Sequence, residues 1–383
     1  MKRKITVTTG SRAEYGILRP VLQNILDSKK LQLYLIVVGM HLSKKHGFTI
    51  NEIKKDGFKI FKTIQMTPKQ DSSNKIAESL GKGIIAFSKT FQKLKPDINL
   101  VLGDRYEMLA SAIAAYHMNI PNAHIHGGDR SQGGIDEYTR HAITKMSNIH
   151  FAATPKSYDR ILKMGENRKY VFLTGSPSVD EVIKGKISSK SELKRNYGID
   201  LNGDEILFIQ HPVTTQTKSV EKQIMASLDA LERVKKTTIA IAPNSDVGHR
   251  TIFKHLQIFS TENNFVKVYP TLPRKDYLGI LKNCGVLVGN SSSGMIEASY
   301  FDTPVVNIGI RQSGRERGNN VLDVPEHNSK SIYQAIVLSL KRKKDKKFSS
   351  QYVYGKGNAA KKIVHYLEKV NLDKELIQKQ IQY

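Results

Sequence analysis

At 383 residues, with 39% hydrophobic and 25% charged side chains, the chain has enough apolar mass for two or three packed domains and is not a disordered segment. Its formal charge of +25 would suit a polyanion, yet the densest run, KRKKDKK at 341–347, comes with no RNA-stacking or helix-turn-helix pattern; it reads as a solvated lysine-rich face, and no nucleic-acid or membrane partner is expected. One cysteine, Cys284, excludes an internal disulfide or a cysteine-built zinc cage; no apolar stretch reaches 18 residues and the first apolar run stops at Thr8, so a cytoplasmic enzyme is expected.

The chain opens with a short β-rich run, KITVTT (4–9), then a polar turn and a helical pattern through Ile17, Leu18, Val21, Leu22, Ile25 and Leu26. Strands follow at LQLYLIVVG (31–39), INLVLGD (98–104), NAHIHGG (122–128), IHFAAT (149–154) and YVFLTGS (170–176), with a helix-like segment, RYEMLASAIAAYHMN, after the second of these. Strands rich in Ile, Val and Leu alternating with helices imply βαβ units and parallel sheets covered on both faces. The polar segment 177–204 reads as a domain junction. A second series follows it: EILFIQH (205–211), TTIAIAP (237–243), FVKVYP (265–270), GVLVGN (285–290) and TPVVNIG (303–309). The expected architecture is therefore α/β, two Rossmann-like doubly wound domains at 1–180 and 200–355, with lysine-rich helices at 356–383 packing back on the first. Ligands of open parallel sheets bind at strand C-termini, so the chemistry is sought there, at a cleft shared by both domains.

The loops bear this out as a place to look. Gly10-Ser11-Arg12-Ala13-Glu14-Tyr15-Gly16 leads from a strand into a helix, where backbone N–H groups and Arg12 form an anion site or an ordinary turn. Gly289-Asn290-Ser291-Ser292-Ser293-Gly294 offers hydroxyls and amides for a diphosphate, Glu297 an acceptor for a ribose diol, and Arg311, Arg315 and Arg317 positive charge. Acid–base candidates end other strands: Asp104 with Arg105, then His124, His126, Asp129, Asp136, Glu137 and His141 within HIHGGDRSQGGIDEYTRH, and His41 and His211 elsewhere. HxH on a strand would point both rings to one face, but no third ligand stands at a familiar spacing, so no metal is expected.

These segments, GSRAEYG, GDRYEMLA, GGD…IDEYTRHAITK, HPVTT and GNSSSGMIEA…TPVVNIGIRQSGRERG, stand in the order seen in hydrolysing UDP-N-acetylglucosamine 2-epimerases, which the chain resembles over roughly residues 1–325. The resemblance implies a glycosyltransferase-B arrangement, no cofactor or metal, and a homodimer or homotetramer. It implies UDP-GlcNAc and water giving ManNAc and UDP, by anti elimination to 2-acetamidoglucal and hydration from the opposite face, as in the supply of sialic-acid-like amino sugars. By position, Asp104 and Asp136 match the acidic groups of the proton transfers, His211 a histidine near the diphosphate and His41 a further active-site histidine. Arg12, Ser291, Ser292, Glu297 and Arg311 match the UDP site, with Glu297 on the ribose, and Arg105 and Arg140 match supports. Where well-studied members read HIEGG this chain has His126, so a carboxylate is replaced by an imidazole, with Asp129 as the alternative acid. A UDP- or GDP-linked 2,4-diacetamido-trideoxyhexose or GDP-GlcNAc as substrate, a non-hydrolysing epimerase and a glycosyltransferase of the same architecture are the competing readings.

Overall fold

The computed structural model describes residues 2–44, 47–68, 70, 72–345 and 351–382; the end of the basic run, at 346–347, lies outside the described residues. Two compact units are present. The first comprises 1–129, 136–181 and 354–383, the second 130–135 and 182–353. Residues 130–135, inside the span read from the sequence as the N-terminal domain, thus pack in the second unit.

In chain order the first unit runs β1 (Arg3–Thr9), α1 (Arg12–Asp27), β2 (Leu31–Val38), α2 (Ile50–Lys55), β3 (Ile60–Ile64), α3 (Ser73–Leu94), β4 (Ile98–Leu102), α4 (Tyr106–His117), β5 (Asn122–Ile125), α5 (Asp136–Lys145), β6 (Ile149–Ala152), α6 (Pro155–Lys163), β7 (Val171–Leu173) and α7 (Pro177–Lys184), which ends across the boundary. The second has α8 (Lys190–Tyr197), β8 (Ile206–Ile209), α9 (Val220–Val234), β9 (Thr238–Ile241), α10 (His249–Glu262), β10 (Val266–Tyr269), α11 (Arg274–Asn283), β11 (Val286–Gly289), α12 (Ser292–Ile296), β12 (Val305–Ile308), β13 (Val321–Val324) and α13 (Ser329–Lys344). The chain then returns to the first unit with α14 (Ala359–Lys369) and α15 (Lys374–Ile377). Strands β3 and β13 and helix α3 escaped the sequence reading.

Both sheets are parallel, ordered β3-β2-β1-β4-β5-β6-β7 and β10-β9-β8-β11-β12-β13. Each reverses direction of winding once, between β1 and β4 and between β8 and β11. Alternation along β2 shows why the first sheet needs cover on both faces. Leu35 and Val37 join the core with Leu18 and Leu22 of α1 and Ile363 and Leu367 of α14, while Ile36 and Val38 pack with Phe87 and Phe91 of α3 and Ala110 of α4. Each of these Val, Leu, Ile and Phe side chains contributes roughly 1.5–3 kcal/mol when fully buried. On one face of the second sheet, Ile206 and Phe208 pack with Ile224 and Leu228 of α9 and Ile332 and Ile336 of α13.

Local signals set the helix starts. Ser11 caps α1 by accepting from the Glu14 N–H, Thr154 caps α6 ahead of Pro155, and Ser189 with Glu192 forms a capping box on α8. The return of the chain is tied by Asp180, whose carboxylate accepts from the Ala359 and Ala360 N–H groups at 3.0 and 2.8 Å. Farther along, buried Glu166 accepts from Lys145, Lys379 and His150 at 2.7, 2.6 and 3.0 Å, and the Gln382 N–H donates to the Gly165 carbonyl. Among the described residues no helix is long and apolar enough to cross a membrane.

Candidate active site

In the first unit the turn in strand order lies between β1 and β4, and the loops after these strands carry Gly10–Arg12 and Gly103–Arg105. Asp104 meets Arg140, which is 1% exposed and also donates to the Glu137 carboxylate at 2.8 Å and the Asp129 carbonyl at 3.0 Å. Burial alone would lower the Arg140 guanidinium, but Asp104, Asp129 and Glu137 outweigh it and hold it raised. Arg140 therefore stays a fixed cation that orients Asp104. Asp136, the first residue of α5, sits at a helix N-terminus that favours its carboxylate.

His126 lies beyond the end of β5, in the left-handed region at φ 65°, so the expected pairing of two rings on one strand face does not occur. His124 turns inward instead, with Nε2 at 2.7 Å from the Gly103 carbonyl and Nδ1 at 3.2 Å from Thr144, and burial pushes it down to about 3. The His126 ring is held at both nitrogens, Nδ1 at 2.8 Å from Asp129 and Nε2 at 2.8 Å from the Ser176 hydroxyl. Asp129 in turn accepts from the Ser157 hydroxyl at 2.7 Å. Hydroxyl, imidazole and carboxylate follow one another as in an acyl-transfer triad, but Ser176 is fully buried, so the set fixes the loop rather than attacking a ligand. Gly128, at φ +72°, leaves room for it: a Cβ there would meet the Ser157 carbonyl at 2.4 Å.

His41 packs against the end of β1. It is 0% exposed, with Nε2 at 3.1 Å from Thr9 and Nδ1 at 2.7 Å from Thr49, and burial pushes it down to about 3. A neutral imidazole bonded at both nitrogens supports the end of β1. Arg12 pairs with Glu52 of α2 at 3.0 Å, and Arg105 forks onto Glu107 at 3.1 and 3.3 Å. Glu107 and Glu14 were not singled out from the sequence, yet both are buried beside Gly10, where a Cβ would lie 3.2 Å from each. Burial pushes Glu14 up to about 8, with Glu107 adding to the rise against the opposing charge of Arg105.

In the second unit the corresponding turn joins His211, after β8, to the loop after β11. Gly289 has φ +130° and a Cβ there would lie 2.0 Å from the Ile209 carbonyl, so only glycine closes the strand end this tightly. Asn290 then bridges the two loops: its side chain accepts from the His211 N–H at 2.6 Å and donates to the His211 carbonyl at 2.9 Å. The Asn244 N–H donates to His211 Nδ1 at 3.2 Å. An accepting Nδ1 puts the proton of the neutral ring on Nε2, making His211 a donor in that form.

Of the three serines, Ser291 caps α12, and Ser293 donates to Glu297 at 2.5 Å, leaving Ser292 without a structural role of this kind. Glu297 lies just past α12, where Arg274 of α11 grips both carboxylate oxygens at 3.1 and 2.5 Å. Tyr277, raised by burial and by Glu297, donates to Ser293 at 2.5 Å. Arg274 was missed from the sequence; a basic residue in PRKDY has no signal of its own among 60 lysines and arginines. Arg311 donates to the Asn290 carbonyl at 3.1 Å. The SQGG stretch packs on it: Gln132 N–H bonds the Ser313 carbonyl, and a Cβ on Gly133 would lie 2.3 Å from Arg311 Cα.

Both sets of loops stand where doubly wound enzymes bind ligands. The UDP-N-acetylglucosamine 2-epimerase family model matches residues 23–368. The chain belongs to that family. It is 38% identical to the hydrolysing UDP-N,N'-diacetylbacillosamine 2-epimerase of Legionella pneumophila, over 99% of each chain. It is 36% identical to the hydrolysing GDP/UDP-N,N'-diacetylbacillosamine 2-epimerase of Campylobacter jejuni, over 84% of each. Its fold is similar to the UDP-GlcNAc 2-epimerase of Neisseria meningitidis solved with UDP-GlcNAc, with TM-score 0.80, 18% identity and coverage of 96% of this chain and 100% of that one. The fold class expected from the sequence, two Rossmann-like units of the glycosyltransferase-B type, holds. As a member of the 2-epimerase family the protein is an enzyme acting on a sugar nucleotide.

Proposed function

We propose that the protein is a hydrolysing 2-epimerase of a UDP-linked 2-acetamido sugar, with UDP-N,N'-diacetylbacillosamine as the favoured substrate. The near full-length likeness to the Legionella pneumophila enzyme carries this choice of sugar. In this reading a base removes the C2 proton, the C1–O bond to the diphosphate breaks, and UDP leaves an unsaturated 2-acetamidoglycal. Water then adds its hydroxyl to C1 and a proton to C2 from the other face, giving the free 2-epimer. Asp104 and Asp136 carry the proton transfers, with Asp104 oriented by Arg140. His211 donates from Nε2 to the leaving diphosphate, a role supported by its accepting Nδ1. Ser291, Ser292, Arg311 and Arg12 bind phosphate oxygens and Glu297 binds the ribose. His126, bonded at both nitrogens, keeps Asp129 and its loop in place instead of moving a proton at the sugar. The enzyme works in the cytoplasm as a homodimer or homotetramer, without a metal.

UDP-GlcNAc is the second reading, favoured by the description of the family whose model matches. Purified protein incubated in D2O with UDP-N,N'-diacetylbacillosamine, UDP-GlcNAc and GDP-linked 2,4-diacetamido-trideoxyhexose, with products read by NMR, separates these cases. A free 2-epimer deuterated at C2 and an equal amount of UDP support hydrolysis. A nucleotide-linked epimer shows a non-hydrolysing enzyme, and substrates all left intact without an acceptor point to a transferase and refute the proposal.

A further inference from the structure

Glu297 is 3% exposed, and its carboxylate already accepts three bonds, two from the Arg274 fork and one from Ser293. A carboxylate offers about four lone-pair positions, so these partners fix its plane and leave it room for one further donor. The anchoring extends outward. Ser293, by donating to Glu297, presents its own oxygen to the Tyr277 hydroxyl at 2.5 Å, and Arg274 and Tyr277 stand on the first turn of the same helix, α11. Glu297 itself closes a helix of five residues, which has little rigidity of its own. The rigidity of its carboxylate thus comes from α11.

We propose that Arg274 is a positioning residue for nucleotide recognition: its guanidinium fork holds the Glu297 carboxylate in the orientation that accepts a ribose hydroxyl. The inference rests on the reading of Glu297 as the ribose ligand. Arg274 acts through Glu297, so its removal selectively lowers affinity for nucleotides that carry the ribose hydroxyls.

Isothermal titration of UDP and 2',3'-dideoxy-UDP into the wild-type protein, Arg274→Ala and Arg274→Lys tests this. Wild type is expected to prefer UDP by about tenfold or more, the scale of a charge-assisted hydrogen bond. Both variants should reduce that preference to about threefold or less, with dideoxy-UDP affinity changed by no more than about threefold. Arg274→Lys keeps a cation beside the buried Glu297, so it tests the fork even where Arg274→Ala fails to fold. An undiminished preference for UDP in the lysine variant, or an equal loss for both nucleotides, overturns the proposal. A wild-type protein that binds both nucleotides equally removes the ribose reading of Glu297 itself, and the role of Arg274 falls with it.

Discussion

Replacing Glu14 with glutamine gives a stability change whose sign reverses the usual expectation for losing a charged residue. Burial pushes the Glu14 carboxyl from its ordinary 4.5 up to about 8, so the folded protein binds a proton there that the unfolded chain releases. A raised carboxyl makes the fold less stable as pH rises from 4.5 to about 8, after which the loss is complete. At about 1.4 kcal/mol per pH unit, this amounts to about 3 kcal/mol at pH 7 and about 5 kcal/mol above pH 8. Glutamine keeps an oxygen for the Gly10 N–H, which donates to Glu14 at 3.1 Å, and does not ionise. Glu14→Gln should therefore match wild type near pH 4.5 and melt about 6–12 °C higher at pH 7. Differential scanning fluorimetry across pH 4.5–8.5 measures both curves. Parallel curves for the two proteins would show that Glu14 does not titrate in this range, and the reasoning from its burial would fail.

Further outcomes follow from other contacts. Glu166 is held down to about 2 by His150, Lys145 and Lys379 against the opposing effect of burial. Its contribution to stability is therefore complete above pH 4.5 and fades as pH falls toward 2; Glu166→Gln should destabilise the protein at pH 7 by about 3–5 kcal/mol and expose the C-terminal segment to limited proteolysis, and an unchanged cleavage pattern counts against this. Gly289→Ala should yield little folded protein, since its Cβ would overlap the Ile209 carbonyl, and wild-type solubility and melting would contradict the geometry. Asp104→Asn and Asp136→Asn should each lower kcat by about 100-fold or more in protein that remains folded; turnover near wild type in a folded variant removes that residue from the proton transfers. Asn290→Ala should weaken UDP binding by about tenfold, because it releases both bonds that seat His211, and equal affinity by calorimetry would show that the loop holds without them.

The sequence alone determined the alternation of strands and helices, because Ile, Val and Leu runs such as LYLIVV and VLVG must be buried on both faces. It also located the loops at strand ends, since Gly-rich and Ser-rich turns with charged residues interrupt those runs. β3, with Lys62 among its apolar residues, is an edge strand, and its weaker pattern hid it. What a titratable side chain does within a loop was decided by tertiary structure. His41 and His126 look equally available in the sequence, yet Thr9 and Thr49 close the first, and Asp129 with Ser176 seats the second. Arg274 carries no local signal because its partner, Glu297, comes from another loop, and nothing near Glu107 in the sequence shows that it is buried beside Gly10. Periodicity and turn chemistry act over a few residues and can be read along the chain; desolvation and ion pairing depend on groups that only folding brings together.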